Sequence, residues 1–122
     1  MRNKPIEEYY DKPWGSETIL EHNSDYMLKR LVMNKGHKCS IQYHEQKQET
    51  IYVLSGVLKI MVCPCMNNLK IQYDITLHPN QYYTVPPFYV HRMEAMEDCV
   101  YLEASTPENS DVVRIEDDYG RV

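Results

Sequence analysis

The chain has 122 residues, of which 25% are charged and 43% are hydrophobic, and its formal net charge is −5. This length suits one domain with a single hydrophobic core, and the acidic balance argues against a protein that binds nucleic acid through a basic patch. Residues 1–8 lack the apolar core of a signal peptide, and no apolar run is long enough to cross a bilayer. We therefore expect a single cytoplasmic domain spanning residues 1–122, with neither a nucleic-acid nor a membrane partner.

Short strand-like segments follow one another along the chain. They are rich in Val, Ile, Tyr and Leu and are separated by turn residues, and no segment of twelve or more residues shows a helical period. The predicted strands cover residues 17–21, 27–33, 39–44, 50–54, 57–63, 69–76, 82–85, 90–95, 100–105 and 112–115. This pattern predicts an all-β sandwich or barrel. We expect residues 1–11 to form an arm that packs on a neighbouring molecule, and residues 107–122 to form a C-terminal return segment.

Four side chains with metal-ligand chemistry fall at or near the ends of these strands. Gln42 and His44 are two residues apart, so an extended strand points both side chains to the same face. Glu49 follows a polar turn and opens the next strand, so a hairpin would bring its carboxylate back beside them, and His91 would add a ligand from a distant strand. One amide oxygen, two imidazoles and one carboxylate suit a divalent transition ion with room left for a substrate.

Two stretches of the sequence resemble the two motifs of the cupin superfamily. The first is residues 36–56, GHKCSIQYHEQKQETIYVLSG, in which Gln42 stands where many cupins have histidine. The second is residues 80–95, centred on Pro86 and His91. Cupins fold as a double-stranded β-helix, or jelly roll, so the resemblance implies this form of all-β architecture.

Further stretches resemble one family within the cupins. KPWGSE at 12–17, LKRL at 28–31 and DVVRIEDDYGR at 111–121 are similar to the C-terminal cupin domain of type II phosphomannose isomerases. The resemblance implies an enzyme that interconverts mannose 6-phosphate and fructose 6-phosphate and serves nucleotide-sugar synthesis. In that family the cupin usually follows a nucleotidyltransferase domain, whereas this chain contains no glycine-rich nucleotide loop.

The isomerisation that the resemblance implies needs an electrophile, and a divalent ion would polarise the sugar carbonyl and hold both reacting oxygens. Zinc best fits a redox-silent Lewis acid, and manganese, cobalt or nickel are possible substitutes. His44, Glu49 and His91 also match the two histidines and one carboxylate of iron oxygenases, although Gln42 as a neutral fourth ligand makes that alternative less favourable.

The reaction also needs a base near the reacting carbons. Lys47 is one candidate, because it lies in the position where the family typically carries arginine. Glu103 is the other, since burial inside a barrel would raise its pKa. Each has a structural alternative: Lys47 as a solvent-facing turn lysine, and Glu103 as a paired structural charge.

The substrate's phosphate needs an anchor. Arg114 is the leading candidate because a planar guanidinium suits bidentate contact with phosphate, and Arg30 is the second. Arg92 and Arg121 are further alternatives, and for Arg121 we favour a surface ion pair.

Three departures from the family pattern bear on the substrate pocket. Lys47 replaces an arginine, Thr50 replaces a histidine, and Phe88 replaces a glycine that tolerates backbone conformations phenylalanine does not. Two other functions therefore stay open: a cupin acting on another sugar phosphate or a nucleotide sugar, and a non-catalytic sugar-binding cupin. Under each of them we expect a homodimer formed through β edges.

Overall fold

Eleven short β-strands make up the structure, a computed structural model that describes residues 8–121. The strands are β1 Glu8–Lys12, β2 Gly15–His22, β3 Met27–Met33, β4 Ile41–His44, β5 Glu49–Ser55, β6 Leu58–Cys63, β7 Tyr73–Leu77, β8 Tyr82–Val85, β9 Val90–Ala95, β10 Cys99–Ser105 and β11 Val112–Glu116. Between residues 8 and 121 the chain forms no helix, and thus none of the length and apolarity needed to cross a membrane.

The strands form two antiparallel sheets. The first has the order β1-β2-β3-β10-β5-β8, and the second has the order β11-β4-β9-β6-β7. Strands that are distant in sequence lie side by side, as β3 beside β10 and β4 beside β9. The prediction of an all-β fold is therefore confirmed, and the crossovers between the sheets are those of a jelly roll.

Strand alternation decides which side chains enter the core between the sheets. In β3, Met27, Leu31 and Met33 are buried, whereas Arg30 on the opposite face is exposed. Ile51 of the first sheet and Ile60 of the second are fully buried in the same apolar cluster as Leu31 and Met33. Burying an aliphatic side chain of this size contributes about 1.5–3 kcal/mol, so this layer holds the two sheets together.

Strand β1 differs from the sequence prediction. Residues 8–11, which were expected to belong to an arm, instead pair with β2, for example Tyr9 with Thr18. The side chains of β1 are nearly all exposed, so its sequence carries no alternating apolar pattern. Residues 1–7 lie outside the described residues, and packing of the arm on a neighbouring molecule stays a prediction.

The C-terminal return segment contributes a strand to the second sheet. Its strand β11 pairs with β4, from Val112 opposite His44 to Glu116 opposite Ile41. The segment thereby lies directly beside the strand that ends at His44, which places its side chains next to the candidate site.

Candidate metal centre and cavity

Three buried side chains from three strands converge at one point of the interior. His44 ends β4, Glu49 begins β5 and His91 lies in β9, and none of them is more than 6% exposed. Their ligand atoms lie within 4.8 Å of one another. Oε1 of Glu49 is 2.8 Å from Nε2 of His91 and 3.7 Å from Nε2 of His44. These three residues, the ligand triad, are three of the four metal ligands that the sequence predicts.

Backbone carbonyls set the orientation of both imidazole rings. Nδ1 of His44 lies 2.9 Å from the carbonyl oxygen of Asp111, and Nδ1 of His91 lies 2.9 Å from that of Tyr89. A carbonyl oxygen can only accept a hydrogen bond, so each Nδ1 carries a hydrogen and each neutral ring keeps its lone pair on Nε2. A hydrogen bond of this kind is what metal-bound histidines commonly make with their other nitrogen.

Among the described residues, the converging atoms of the ligand triad have no hydrogen-bond partner. Nε2 of His44, Oε1 of Glu49 and Nε2 of His91 are all buried, and no group within the described residues donates to them. In the neutral tautomers all three atoms are acceptors, so the 2.8 Å approach between His91 and Glu49 is not a hydrogen bond. An unsatisfied buried polar group costs about 1–3 kcal/mol. A cation at their meeting point would satisfy all three, and the donor set suits a divalent transition metal.

Protons compete with a cation for the same atoms. Burial alone would raise the pKa of Glu49, but the neighbouring imidazoles and Lys47 hold it well below its ordinary value. Burial would lower the pKa of His91, and the Glu49 carboxylate overcomes this and raises it. Metal binding at this centre therefore requires Nε2 of His91 to be free of its proton.

The predicted fourth ligand, Gln42, lies beside the ligand triad. It faces His91 across the β4–β9 pair and Arg114 across the β4–β11 pair, so the three residues form one row across the second sheet. Its side-chain oxygen accepts a hydrogen bond of 2.8 Å from Oγ of Ser40. This oxygen has a second lone pair that a metal ion would use, and coordination by Gln42 stays a prediction.

Phe88 occupies a left-handed backbone conformation beside the centre. Its φ is 67°, a value that favours glycine, the residue that the family resemblance leads one to expect at this position. Its N–H donates to the carbonyl oxygen of His44 at 2.7 Å, and the next residue, Tyr89, supplies the carbonyl that orients His91. The loop that contains Phe88 is thus connected to both histidines by hydrogen bonds of its backbone.

A cavity of about 250 Å³ opens from the ligand triad. Five cationic and three acidic side chains line it: Lys12, Lys29, Lys47, Arg114, Arg121, Glu17, Glu49 and Glu103. The lining thus carries an excess of positive charge although the chain as a whole is acidic. Such a cavity attracts an anionic ligand.

The two candidates for the base, Lys47 and Glu103, form a buried ion pair in this cavity. Nζ of Lys47 lies 2.7 Å from Oε2 of Glu103 and 3.4 Å from Oε2 of Glu49. Lys47 is only 5% exposed, so it is not a solvent-facing turn lysine. Burial would lower the pKa of Lys47, but the two carboxylates overcome this and raise it. The pKa of Glu103 is raised, chiefly by burial and by the charge of Glu49.

Lys29 lies in the same cavity and was not predicted from the sequence. It is buried, it is directly opposite Glu103 across the β3–β10 pair, and its Nζ lies 3.2 Å from Oε1 of Glu17. Its neighbour Arg30, a predicted phosphate anchor, is exposed on the other face of β3 and does not line the cavity. Glu17, Lys29, Glu103 and Lys47 together form the charged row, in which every cation faces a carboxylate.

Arg114, the leading candidate for the phosphate anchor, lines the cavity. It lies at one end of the row that it forms with Gln42 and His91. Its Nε is buried, and no acceptor in the described part of the chain reaches it. The alternatives are engaged elsewhere: Arg92 donates to Asp118 and to the carbonyl of Cys39, and Arg121 donates to Asp117. Arg114 is therefore the arginine of this group with an unused buried donor at the cavity.

Relatives with similar sequences act on mannose phosphates or in polysaccharide synthesis. The chain is 27% identical over 116 residues to mannose-1-phosphate guanylyltransferase ManC of Salmonella typhimurium, an alignment that covers 91% of this chain and 22% of ManC. It is 27% identical over 115 residues to alginate biosynthesis protein AlgA of Pseudomonas putida, covering 90% of this chain and 22% of AlgA. The chain thus spans about a fifth of the length of these curated relatives.

Solved structures share the fold at low sequence identity. Capsular polysaccharide assembling protein CapF of Staphylococcus aureus superposes with a TM-score of 0.82 at 18% identity, over 93% of this chain and 32% of CapF. KdgF of a Halomonas species gives a TM-score of 0.73 at 20% identity, over 86% and 90% of the two chains. These likenesses show the fold alone, and they agree with the predicted all-β jelly roll.

Residues 3–117 match the family described as mannose-6-phosphate isomerase C-terminal. This match covers nearly the whole chain, and it includes the ligand triad, the charged row and Arg114. The resemblance predicted from the sequence is thereby confirmed, and the chain belongs to the mannose-6-phosphate isomerase C-terminal family of cupin domains.

Proposed function

We propose that the chain is a metal-dependent isomerase that interconverts mannose 6-phosphate and fructose 6-phosphate. The observation that carries the proposal is the convergence of three buried acceptor atoms that have no donor within residues 8–121, beside a buried carboxylate and in a cationic cavity. Membership of the family supports the same substrate class. Since the relatives are several times longer than this chain, guanylyl transfer by the whole ManC protein is not part of the proposal.

The ligand triad would hold the metal ion, with Gln42 proposed as a fourth ligand. Zinc is the proposed ion, and manganese, cobalt or nickel would suit the same donors. When bound, a divalent ion supplies Lewis-acid stabilisation for the negative charge that develops on the sugar oxygens. A related fold occurs in the oxalate decarboxylase of Bacillus subtilis, a protein with Mn(II) centres.

Glu103 is proposed as the base. Its carboxylate takes the proton from C2 of the aldose and returns it to C1, while the hydroxyl proton on O2 passes to O1. The aldehyde carbon C1 thereby becomes the hydroxymethyl group, and C2 becomes the ketone carbon. The raised pKa of Glu103 makes its carboxylate a stronger base at neutral pH.

Lys47 is proposed to hold Glu103 in place and to remain protonated throughout. The carboxylates of Glu103 and Glu49 raise its pKa, which disfavours Lys47 itself as the base. Its ammonium group lies between the base and the ligand triad, 2.7 Å from Glu103 and 3.4 Å from Glu49. It therefore fixes the distance from the base to the centre where the sugar oxygens would lie.

Arg114 is proposed to bind the phosphate group. Its buried Nε lacks an acceptor in the described residues, and a phosphate oxygen would provide one. A hydrogen bond to a charged group contributes about 1.5–3 kcal/mol, so we expect Arg114→Ala to raise KM by about 10-fold to 100-fold. Arg30→Ala is the matched control, because the exposed Arg30 does not reach the cavity.

The proposal is tested by a coupled assay of mannose 6-phosphate conversion, with zinc, manganese, cobalt and nickel each added to metal-stripped protein. We expect turnover that depends on metal and is lost in His44→Ala. Glu103→Gln should keep the metal while kcat falls by about 100-fold to 10,000-fold, the usual contribution of a general base.

Metal-loaded protein that binds its ion normally and turns over no mannose 6-phosphate would overturn the proposal. Thermal-shift measurements across sugar phosphates and nucleotide sugars would then separate a different substrate from a non-catalytic binding role. A cytoplasmic homodimer also belongs to the proposal, and sedimentation of the purified protein tests the dimer.

A further inference from the structure

Asp111 links the C-terminal return segment to the turn that follows His44. Its carboxylate accepts three backbone N–H groups of that turn: Glu45 donates to Oδ1 at 3.3 Å, and Gln46 and Lys47 donate to Oδ2 at 2.7 and 3.0 Å. The backbone carbonyl of Asp111 accepts the Nδ1–H of His44 at 2.9 Å. One residue thus makes four contacts with the chain between two of the proposed metal ligands.

These contacts act on two separate features of the centre. The carboxylate fixes the path of residues 45–47, and this path sets where Glu49 begins β5 relative to His44 at the end of β4. The carbonyl fixes the hydrogen of His44 on Nδ1, which leaves Nε2 as the acceptor that faces Glu49. Without the carboxylate of Asp111, three successive backbone N–H groups of the turn would depend on solvent for hydrogen-bond partners.

We propose that Asp111 is a positioning residue that sets the metal affinity of the ligand triad. The inference rests on the metal site of the proposed function and deepens it. Asp111 does not itself reach the converging ligand atoms; it acts through the turn and through the ring of His44. Because β11 begins at the next residue and carries Arg114, the same segment orients one ligand and supplies the phosphate anchor.

The test compares Asp111→Ala and Asp111→Asn with the wild-type protein and with Asp118→Ala. Asp118 is the matched control, because it is an aspartate of the same segment that pairs with Arg92 and Lys38 and not with the turn. Zinc affinity is measured by competition with a chromophoric chelator, and backbone amide exchange is measured on metal-free protein. Both substitutions at Asp111 change the carboxylate and keep the backbone carbonyl that accepts from His44, so they test the contacts to the turn. Loss of an outer partner of a metal site commonly costs 10-fold to 100-fold in affinity.

We expect Asp111→Ala to weaken zinc binding by at least about tenfold and to speed amide exchange of Gln46 and Lys47. Asp111→Asn retains one acceptor oxygen and should lie between this variant and the wild type. Asp118→Ala should leave both quantities within about twofold of the wild-type values.

Wild-type zinc affinity in folded Asp111→Ala, or equal losses in Asp118→Ala, would overturn the inference. If Asp111→Ala fails to fold, wild-type affinity in Asp111→Asn overturns it instead. The ratio of zinc affinities decides this question even if no sugar phosphate is turned over, so failure of the proposed isomerase activity is seen separately.

Discussion

The ligand triad and the charged row are both buried at the same cavity, but their polar atoms are satisfied in opposite ways. In the charged row each cation faces a carboxylate within the protein, as Lys47 faces Glu103 and Lys29 faces Glu17. In the ligand triad with neutral imidazoles, three acceptors point at one another without a donor among the described residues. The charged row is thus complete as folded, whereas the ligand triad needs a proton or a metal ion at the meeting point of its atoms. Protein stability should therefore depend on the first and ligand binding on the second.

The largest effect should come from breaking the charged row. Lys47→Met leaves Glu103 as an uncompensated buried charge, and we expect it to lower the free energy of unfolding by about 3–5 kcal/mol. Urea unfolding of metal-free protein measures this loss. Lys59→Met breaks the half-exposed pair with Glu94 and should cost less than about 1 kcal/mol. Equal costs in the two variants would show that the charged row has no special dependence on burial.

The next effect concerns the ligand triad and should appear in metal affinity. Glu49→Gln keeps the shape of the side chain but removes its negative charge, and we expect zinc to bind about 100-fold more weakly or worse, since even an indirect partner can cost that much. Glu17→Gln is the control at the far end of the charged row and should change zinc affinity by less than about twofold. A competition assay gives both values, and a large loss in Glu17→Gln would contradict the separation of the two regions.

Phe88 provides a smaller test, because its strain lies in the loop that orients the ligand triad. A non-glycine residue in the left-handed conformation costs about 1–2 kcal/mol, which a glycine at position 88 would relieve. Glycine also makes the unfolded chain more flexible, and this lowers the free energy of unfolding by about 0.5–1 kcal/mol. We therefore expect Phe88→Gly to stabilise the metal-free protein by up to about 1.5 kcal/mol in urea unfolding.

The control for Phe88 is Asn80→Gly. Asn80 has a similar φ of 69°, but asparagine tolerates this conformation and its Oδ1 accepts the hydroxyl of Tyr52. This variant should be neutral or destabilising. A gain in stability for Asn80→Gly that matches that of Phe88→Gly would argue that strain at Phe88 is not the cause.

The smallest effect should come from an ion pair outside both regions. Arg121 holds the pKa of Asp117 at about 2, so the pair stabilises the folded state fully above the unfolded pKa near 4 and loses this contribution as the pH falls toward 2. Asp117→Asn should therefore lower stability by less than about 1 kcal/mol at pH 7, and the difference should shrink below pH 4. Urea unfolding of both proteins across this range measures it, and a constant difference would exclude the ion pair as its source.

The sequence predicts that the side chains of the ligand triad converge, because two short motifs carry the signal. His44 and Glu49 fall where one strand ends and the next begins, and His91 follows a proline-bounded loop that resembles the second cupin motif. Lys29 was missed although the signal was present. Met27, Leu31 and Met33 alternate, and this period of two already places Lys29 inward and Arg30 outward.

Other features depend on distant contacts that no short pattern encodes. Burial of Lys47 in a polar turn follows from its pairing with Glu103, which lies 56 residues further along the chain. Strand β1 forms by pairing with β2 while its side chains stay exposed, so it lacks any apolar period. The predicted strand at 69–76 starts instead at Tyr73, because backbone hydrogen bonds from Asn68 to Cys65 and from Ile71 to Asn68 form turns before it.

The row of Arg114, Gln42 and His91 has a consequence for substrate length. Each residue lies directly opposite the next on neighbouring strands, so the backbones of Arg114 and His91 are two strand spacings apart, about 10 Å. Strand pairing fixes the distance between these backbones. Under the proposed function, with the phosphate at Arg114 and the carbonyl at the ligand triad, we expect a six-carbon sugar phosphate to reach both ends of the row and shorter phosphorylated sugars to engage one end only.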